Sequence, residues 1–498
     1  MNVSELLNKL AVPMDLDLSE EVAKLSVTGV TGDSRAVEEG FVFVGIPGSK
    51  VDGARFVPQA FAEGALICII SNQSALPDGF DPQGKPVLRV EDPHLALARL
   101  ASLCYPVSLE WVGAVTGTNG KTSIASFLRQ IWAHGGKGAA NIGTIGIEGP
   151  KGSSYGGLTT PDPVGLMKSV QTLAADGVTH LALEASSHGL EQKRLDCLTV
   201  DVGGFTNLTR DHLDYHGTFE AYRDAKAQLF SRLVRDGGAA VVNLDDANGA
   251  YFLEVAKKRG LTCYTLGHGE DADLVIRSIE VEGFDQNVTL SGLWGDVSCH
   301  VPLVGDFQVS NALVAGLMAF TGGLDPEIIL AAISTLKGAC GRMELVGTAG
   351  PDTAVYIDYS HTPDSLEVAL KALRPFAKGR LISVFGAGGD RDKGKRPMMG
   401  KASNDFADYT IVTDDNPRSE DPALIRAAVM ETVTNGLEVA GRQEAITLGV
   451  EMLAPGDILL VAGKGHERGQ TIGDKVLPFS DHDAVAKALA QTGKGGAF

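Results

Sequence analysis

The chain has 498 residues, of which 44% are hydrophobic and 21% charged, and its formal net charge is −19. That length exceeds one ordinary core and points to three domains. The acidic balance disfavours nucleic acid as a partner, because phosphate backbones need a basic surface, but leaves room for anionic small molecules in local basic pockets. The start, Met1-Asn2-Val3-Ser4-Glu5, has neither the basic region nor the apolar core of a signal peptide. No run approaches the ~20 apolar residues of a spanning helix, so membrane insertion is not expected. Six scattered cysteines, Cys68, Cys104, Cys197, Cys263, Cys299 and Cys340, form no C-x-x-C pair. This argues against zinc-ribbon and thioredoxin folds. Several lie in apolar runs such as 66–70, where a buried inert thiol is expected. A reduced, cytoplasmic enzyme fits these features.

Residues 1–107 form a first expected domain, with strands over 41–44 and 65–70 and helices over 56–63 and 94–104. A second spans 108–339, with strands over 113–116, 180–185, 201–205 and 239–243 and helical stretches between them. This alternation predicts a mostly parallel sheet with crossover helices. Within it, 275–281 and 299–303 alternate in polarity and predict a small antiparallel insert. The third domain, 340–498, has short apolar runs at 354–358, 380–385, 409–413 and 457–462, a doubly wound pattern. The expected fold class is therefore three-domain α/β.

The most telling segment is Gly117-Thr118-Asn119-Gly120-Lys121-Thr122, between an apolar run at 111–115 that reads as a buried strand and a helix predicted over 123–134. Glycines let backbone N–H groups turn inward, the helix start adds partial positive charge, Lys121 adds a full charge, and Thr122 can bind Mg²⁺. A Walker A loop would need glycine at position 115, which is Val115. The cradle is a shortened G-x-x-G-K-T.

Five further segments carry chemistry. Glu184, at the end of the strand over 180–183, is placed to hold Mg²⁺. Residues 207–217 pack two Asp, two His and one Arg into eleven positions, a density suited to a site or surface. His212 and His216 have i,i+4 spacing, but without H-E-x-x-H a hard-ion site is a better reading than zinc. Residues 386–396 carry Arg391, Lys393, Lys395 and Arg396 after a broken dinucleotide fingerprint. They suit carboxylate or phosphate groups, or form a solvated charged loop. In Asp414-Asp415-Asn416-Pro417-Arg418, Pro417 stiffens a turn, Arg418 can present a fork to a carboxylate, and Asp415 and Asn416 can accept from an amine. Gly463-Lys464-Gly465-His466-Glu467 adds backbone donors and an anionic side chain at the same sheet edge.

Together and in this order, these pieces resemble the Mur ligases, which share the short loop with the folylpolyglutamate synthetases. The resemblance covers almost the whole chain and implies roles for its three domains: a UDP-muramoyl substrate domain, a central ATP-binding domain with P-loop-like sheet, and a Rossmann-like amino-acid domain. It implies ATP at Gly117 to Ser123, with Asn311, Arg342, Asp358 and His361 completing the nucleotide site. It implies UDP-muramoyl-dipeptide at Ser34, Ser49, Lys50, Val51, Thr159, Thr160, Ser186, Gln192 and Arg194. It further implies meso-diaminopimelate at Arg391, Asp415, Asn416, Pro417, Arg418, Gly463 and Glu467; the Asn-Pro-Arg form is associated with diaminopimelate rather than lysine. Lys226 matches a lysine that is carbamylated in the family, so that Thr122, Glu184, His212 and Lys226 would hold Mg²⁺, with Lys121, Glu184, His212 and Lys226 as the catalytic set. Gly32 stands where a larger apolar residue is usual, Leu158 replaces a polar residue, and Ser360 stands where Ala is common.

The implied reaction is an ATP-driven amide bond through an acyl phosphate on the D-glutamyl γ-carboxylate of UDP-N-acetylmuramoyl-L-Ala-D-Glu, by a monomer working on small molecules. Alternatives are a lysine-adding version of that ligase, a folylpolyglutamate synthetase-like ligase, and a non-catalytic nucleotide-binding module. The extra first domain and the turn at Asp415–Arg418 argue against the second, and Glu184, His212, Lys226 and Arg418 against the third.

Overall fold

The computed structural model describes residues 1–12, 18–48, 51–154, 156–350 and 352–493. Ser49 and Lys50 lie outside the described residues. The chain divides into two compact units. The first comprises Met1–Lys121, Leu128–Thr265 and Leu317–Leu324; the second comprises Thr122–Phe127, Leu266–Gly316 and Asp325–Phe498. No helix among the described residues is long and apolar enough to cross a membrane.

The first unit opens with four parallel strands, β1 (Gly29–Thr31), β2 (Phe41–Gly45), β3 (Ile67–Ser71) and β4 (Val87–Val90), in sequential order. The helix expected over 56–63 divides into a 3-10 turn, Gly53–Phe56, and an α-helix, Val57–Ala62, with Pro58 in the helix's first turn. A larger sheet follows from β5 (Trp111–Thr116), β6 (Ala139–Gly143), β7 (Gly146–Gly149), β8 (Gly152–Ser154), β9 (His180–Glu184), β10 (Val200–Phe205), β11 (Val234–Asn243) and β12 (Thr262–Gly267). Its order is β12-β11-β10-β5-β9-β6-β7-β8. Pairing is parallel from β11 through β10, β5 and β9 to β6, and antiparallel through β7 to β8. Strands β9 and β10 are buried along their whole length, as parallel strands covered on both faces must be. The N-terminal sheet and this larger sheet share one hydrophobic core, in which Val30, Val44, Val112 and Leu183 all take part.

In the second unit, β13 (Leu274–Glu282), β14 (Asp285–Gly292) and β15 (Val297–Val301) form the expected antiparallel ladder, with one more strand than the sequence revealed. The main sheet contains β16 (Glu344–Gly347), β17 (Ala354–Asp358), β18 (Leu381–Phe385), β19 (Tyr409–Val412), β20 (Gly436–Glu438) and β21 (Ile458–Ala462), ordered β16-β17-β21-β18-β19-β20. Only β16 is antiparallel to its neighbour. Separate apolar cores cover the two faces: Leu370, Phe385 and Leu460 belong to one, Ile357, Val384 and Val461 to the other. Because β21 lies between β17 and β18, connections leave the strand ends in opposite directions, which opens a crevice at the carboxyl edge. A last hairpin, β22 (Gly469–Ile472) and β23 (Lys475–Pro478), follows that edge.

Candidate active site

In the first unit the site is built where β5, β6, β9 and β10 end. The helix after β5, Lys121–His134, starts at Gly120 with φ +86°. Gly117 has φ +148°, and a Cβ there would meet Thr206 Oγ1 at 2.1 Å. The loop therefore requires glycine at both positions. It is fixed from β10: Thr118 N donates to Asn207 O at 2.9 Å, Asn119 N donates to Asn207 Oδ1 at 3.0 Å, and Thr206 Oγ1 donates to Asn119 O at 2.6 Å. Lys121 folds back over the loop, with Nζ donating to Gly117 O at 2.9 Å and Thr118 O at 2.8 Å. Thr122 and Ser123, which count with the second unit, are buried in the first turn of that helix.

Lys226, on the helix Phe219–Gln228, joins the same loop. It is 1% exposed, and its Nζ donates to Gly117 O at 2.7 Å. Burial, reinforced by the charge of Lys121, holds this amine well below the ordinary lysine range. Tyr222 carries Lys226 over its ring at 4.5 Å and meets Thr118 Oγ1 through its hydroxyl at 3.1 Å. Tyr222 escaped the sequence reading because a tyrosine at helical spacing looks like ordinary core.

Glu184, 2% exposed, accepts from Thr144 N at 2.7 Å and from Thr144 Oγ1 at 3.0 Å. Gly143 is required beside it, since a Cβ there would meet Glu184 Oε1 at 2.0 Å. The carboxylate opens a network that gathers most of the expected dipeptide residues. Thr144 Oγ1 meets Thr159 Oγ1 at 3.0 Å, and Thr160 Oγ1 donates to Glu184 O at 2.8 Å and meets Ser186 Oγ at 2.9 Å. Arg194 donates to Thr160 O at 2.8 Å and to Gln192 Oε1 at 2.6 Å. Ser34 and Val51 do not join this network among the described residues; Ser34 Oγ instead donates to Gln59 Oε1 at 3.1 Å.

His212 is exposed and has φ +51°. Its ring lies 5.1 Å from that of His188 and 6.1 Å from that of Tyr222. His216 is directed elsewhere, to Ser187 Oγ at 3.0 Å and Glu191 at 3.3 Å. The His216 ring also packs against His188 and Tyr222, each at 5.4 Å, so the two histidines of the i,i+4 pair share these ring partners.

In the second unit two groups form at the carboxyl edge. Asn311 Nδ2 donates to Gln308 Oε1 at 3.0 Å, and Gln308 Nε2 donates to Arg342 O at 3.3 Å. The Arg342 guanidinium lies 4.6 Å over the Tyr359 ring, which sits 4.7 Å from His361. Asp358, at the end of β17, accepts from Met343 N and Ser360 N, each at 2.8 Å. The serine at position 360 thus ties the carboxylate down with its backbone and its hydroxyl.

The second group joins the ends of β18, β19 and β21. Asn416 Oδ1 accepts from Lys464 Nζ at 3.0 Å and from Thr471 N at 2.9 Å, and its Nδ2 donates to Glu467 Oε2 at 3.0 Å. Both acceptor positions of the amide oxygen are occupied. Asn416 thus ties the turn to Lys464, Thr471 and Glu467, and Asp415 and Glu467 carry anionic oxygens beside it. Lys464, which sequence reading did not single out, is fully buried and also donates to Glu467 Oε2 at 2.9 Å. Asp415 faces Gly463, where a Cβ would lie 2.8 Å from Asp415 Oδ2.

Arg418 has φ +52° and donates through its guanidinium to Gly389 O at 2.7 Å. Its backbone is clamped by the hairpin, from N to Thr471 O at 3.1 Å and to O from Gly473 N at 2.7 Å. The four-cation loop resolves unequally. Arg396 is buried against Glu420 at 2.8 Å, Lys393 pairs with Glu420 at 3.4 Å, and Lys395 Nζ donates to His361 O at 2.9 Å. Arg391 is exposed and, among the described residues, makes no hydrogen bond. Of the four cations, three are engaged within the protein, and Arg418 nearby is half-buried.

Three family models cover the chain in succession: the Mur ligase family catalytic domain over residues 26–105, the Mur ligase middle domain over 115–319, and the Mur ligase glutamate ligase domain over 341–465. The chain belongs to the Mur ligase family. The UDP-N-acetylmuramoyl-L-alanyl-D-glutamate–2,6-diaminopimelate ligase of Brucella melitensis is 48% identical over 470 residues, covering 94% of this chain and 95% of its own. That of Bradyrhizobium diazoefficiens is 49% identical, covering 96% and 97%. A solved structure of a ligase of that name aligns with a TM-score of 0.72 at 32% identity over 99% of both chains. A MurF structure from Acinetobacter baumannii shares the Mur ligase fold at 19% identity and a TM-score of 0.63, over 98% of both chains.

Proposed function

We propose that this Mur ligase joins meso-2,6-diaminopimelate to the D-glutamyl γ-carboxylate of UDP-N-acetylmuramoyl-L-Ala-D-Glu, with ATP converted to ADP and phosphate. The observation that carries the amino-acid assignment is the turn Asp415–Arg418, locked to Lys464 and Glu467 so that anionic oxygens and a guanidinium occupy one edge. An amino acid with an ammonium and two distal charges matches such a surface. Relatives of that name, similar over almost the whole length, support the same reading.

A carboxylate is a poor electrophile and must be activated. Transfer of the γ-phosphoryl group of ATP to the γ-carboxylate gives an acyl phosphate; attack by the amine then forms the amide and expels phosphate. Gly117 to Thr122 supplies inward N–H groups and the Lys121 charge to the phosphates. Mg²⁺ fits the donor set of Thr122, Glu184, His212 and Lys226, because Glu184 is a buried, prefixed carboxylate and Lys226 an amine whose depressed basicity leaves it open to CO₂. Bound there, Mg²⁺ would offset phosphate charge. Carbamylation makes Lys226 an anion: its neutral nitrogen bonds to the carbon of CO₂ and releases one proton. Thr160, Ser186 and Arg194 position the dipeptide end beside Glu184. Arg418 and Arg391 hold the distal carboxylate of diaminopimelate, leaving one amine to react. The protein works as a cytoplasmic monomer on these small molecules, with 1–107 holding the uridine nucleotide, 108–339 ATP and 340–498 the amino acid.

Incorporation of diaminopimelate and of lysine by the purified protein tests the assignment. Preference for diaminopimelate is expected; preference for lysine overturns it.

A further inference from the structure

Beside the main sheet of the second unit, three side chains with metal-binding atoms converge without a part in the reaction above. Cys340 and Glu344 flank the turn into β16, and His482 lies in the first turn of the helix Asp481–Thr492. One ligand atom from each lies within 4.8 Å of the other two. The Cys340 Sγ to His482 Nε2 distance is 3.7 Å and the His482 Nε2 to Glu344 Oε2 distance is 2.6 Å. We propose that Cys340, Glu344 and His482 bind one divalent transition metal of the zinc class.

The donor set selects the ion. A thiolate and an imidazole suit zinc, cobalt or nickel, whereas Mg²⁺ and Ca²⁺ seek oxygen. Thiolate and carboxylate together balance a dication. In a tetrahedral zinc site, bond lengths of about 2.3 Å to sulfur and about 2.0 Å to nitrogen put these two atoms about 3.6 Å apart, close to the observed 3.7 Å. The nitrogen and carboxylate oxygen must part to about 3.3 Å, a side-chain movement under an ångström, as the ion replaces the proton between them.

The scaffold is already held. Glu344 Oε2 accepts from Gly341 N at 2.7 Å, fixing the turn that carries Cys340. Asp481, next to His482, is locked by Arg442 through two bonds of 2.7 Å, with both side chains fully buried. Such outer contacts orient ligands. Three protein donors leave a fourth position, and a cavity of about 540 Å³ lined by Cys340, His482, Gln443, Phe479 and Lys487 adjoins the cluster. The fourth position is therefore open to water or a small donor. An ion pair of Glu344 and His482 alone would need no thiol as a third partner.

The test uses the full chain, stripped with chelator and dialysed against zinc in excess Mg²⁺, which saturates hard-ion sites. One zinc per chain is expected, with affinity at least about tenfold weaker in Cys340→Ser and His482→Gln and unchanged in Cys104→Ser. Cobalt in place of zinc should show a thiolate charge-transfer band that Cys340→Ser removes. Equal zinc content in wild type and Cys340→Ser, or cobalt without that band, overturns the proposal. Alkylation of wild-type Cys340 keeps the test open should the variants misfold. Zinc should slow labelling at least about tenfold; labelling at one rate with and without zinc would show a reactive thiol only and overturn the proposal.

Discussion

Replacing Lys226 by methionine separates the chemistry of this side chain from its packing. The lysine is 1% exposed and makes a 2.7 Å bond to Gly117 O. Methionine has a similar volume and no charge. The variant loses one hydrogen bond, about 0.5–1.5 kcal/mol, and is relieved of a buried amine repelled by Lys121. These effects oppose each other, so folding stability should shift by no more than about 2 kcal/mol. Catalysis has no such offset. Removing one preorganised electrostatic group costs about 2.7–4 kcal/mol, or about 100- to 1000-fold in kcat. Phosphate release with all substrates present, with and without bicarbonate, reads the first quantity, and denaturant unfolding the second. Wild-type activity should rise with bicarbonate, and the variant should stay low while remaining folded. Full activity in the variant, or a fall matched by an equal loss of folded protein, refutes the reasoning.

Arg418→Lys should lower kcat/KM for diaminopimelate by about 10- to 150-fold, the loss of one charge-assisted contact, and leave weak lysine turnover little changed; steady-state kinetics with both amino acids checks this. Gly389→Ala places a Cβ 1.9 Å from Pro417 O, so the turn must shift; kcat/KM for diaminopimelate should fall about 100-fold with the ATP KM unmoved. Arg442→Leu strands the buried Asp481 carboxylate and should cost about 3–5 kcal/mol in urea unfolding. Burial lowers the His482 pKa, but hydrogen bonds to Cys340 and Glu344 outweigh it and raise it from 6.5 to about 10. The folded pKa lies above the unfolded one, so this contribution is complete below pH 6.5 and is lost as pH rises through about 10. In chelator, unfolding midpoints should decline over that window in the wild type and decline less in His482→Gln.

Strands buried on both faces were legible because they read as unbroken apolar runs; β5, β9, β17, β18, β19 and β21 begin or end within two residues of expectation. Strand β14 was not, since Asp285–Gly292 opens with three polar residues, Asp285, Gln286 and Asn287, and buries Gln286 and Ser291 beside Val288 and Leu290, which breaks the alternation. The hairpin of β22 and β23 was also hidden: its strands carry little continuous apolar sequence and Val476 is 69% exposed. At the site, the glycine loop and Glu184 were legible because their chemistry is local. The saturation of Asn416 by Lys464 and Thr471 joins residues some fifty positions apart, and no spacing rule within either segment reports it. The same holds for Arg396, whose burial against Glu420 is a tertiary fact.

The central claim, an acyl phosphate on the D-glutamyl γ-carboxylate, is tested most directly by labelling that carboxylate with heavy oxygen and analysing the phosphate released during amide formation. One labelled oxygen per phosphate is predicted, carried over when the amine expels the phosphate. Phosphate released without label, while the amide product still forms, would contradict it.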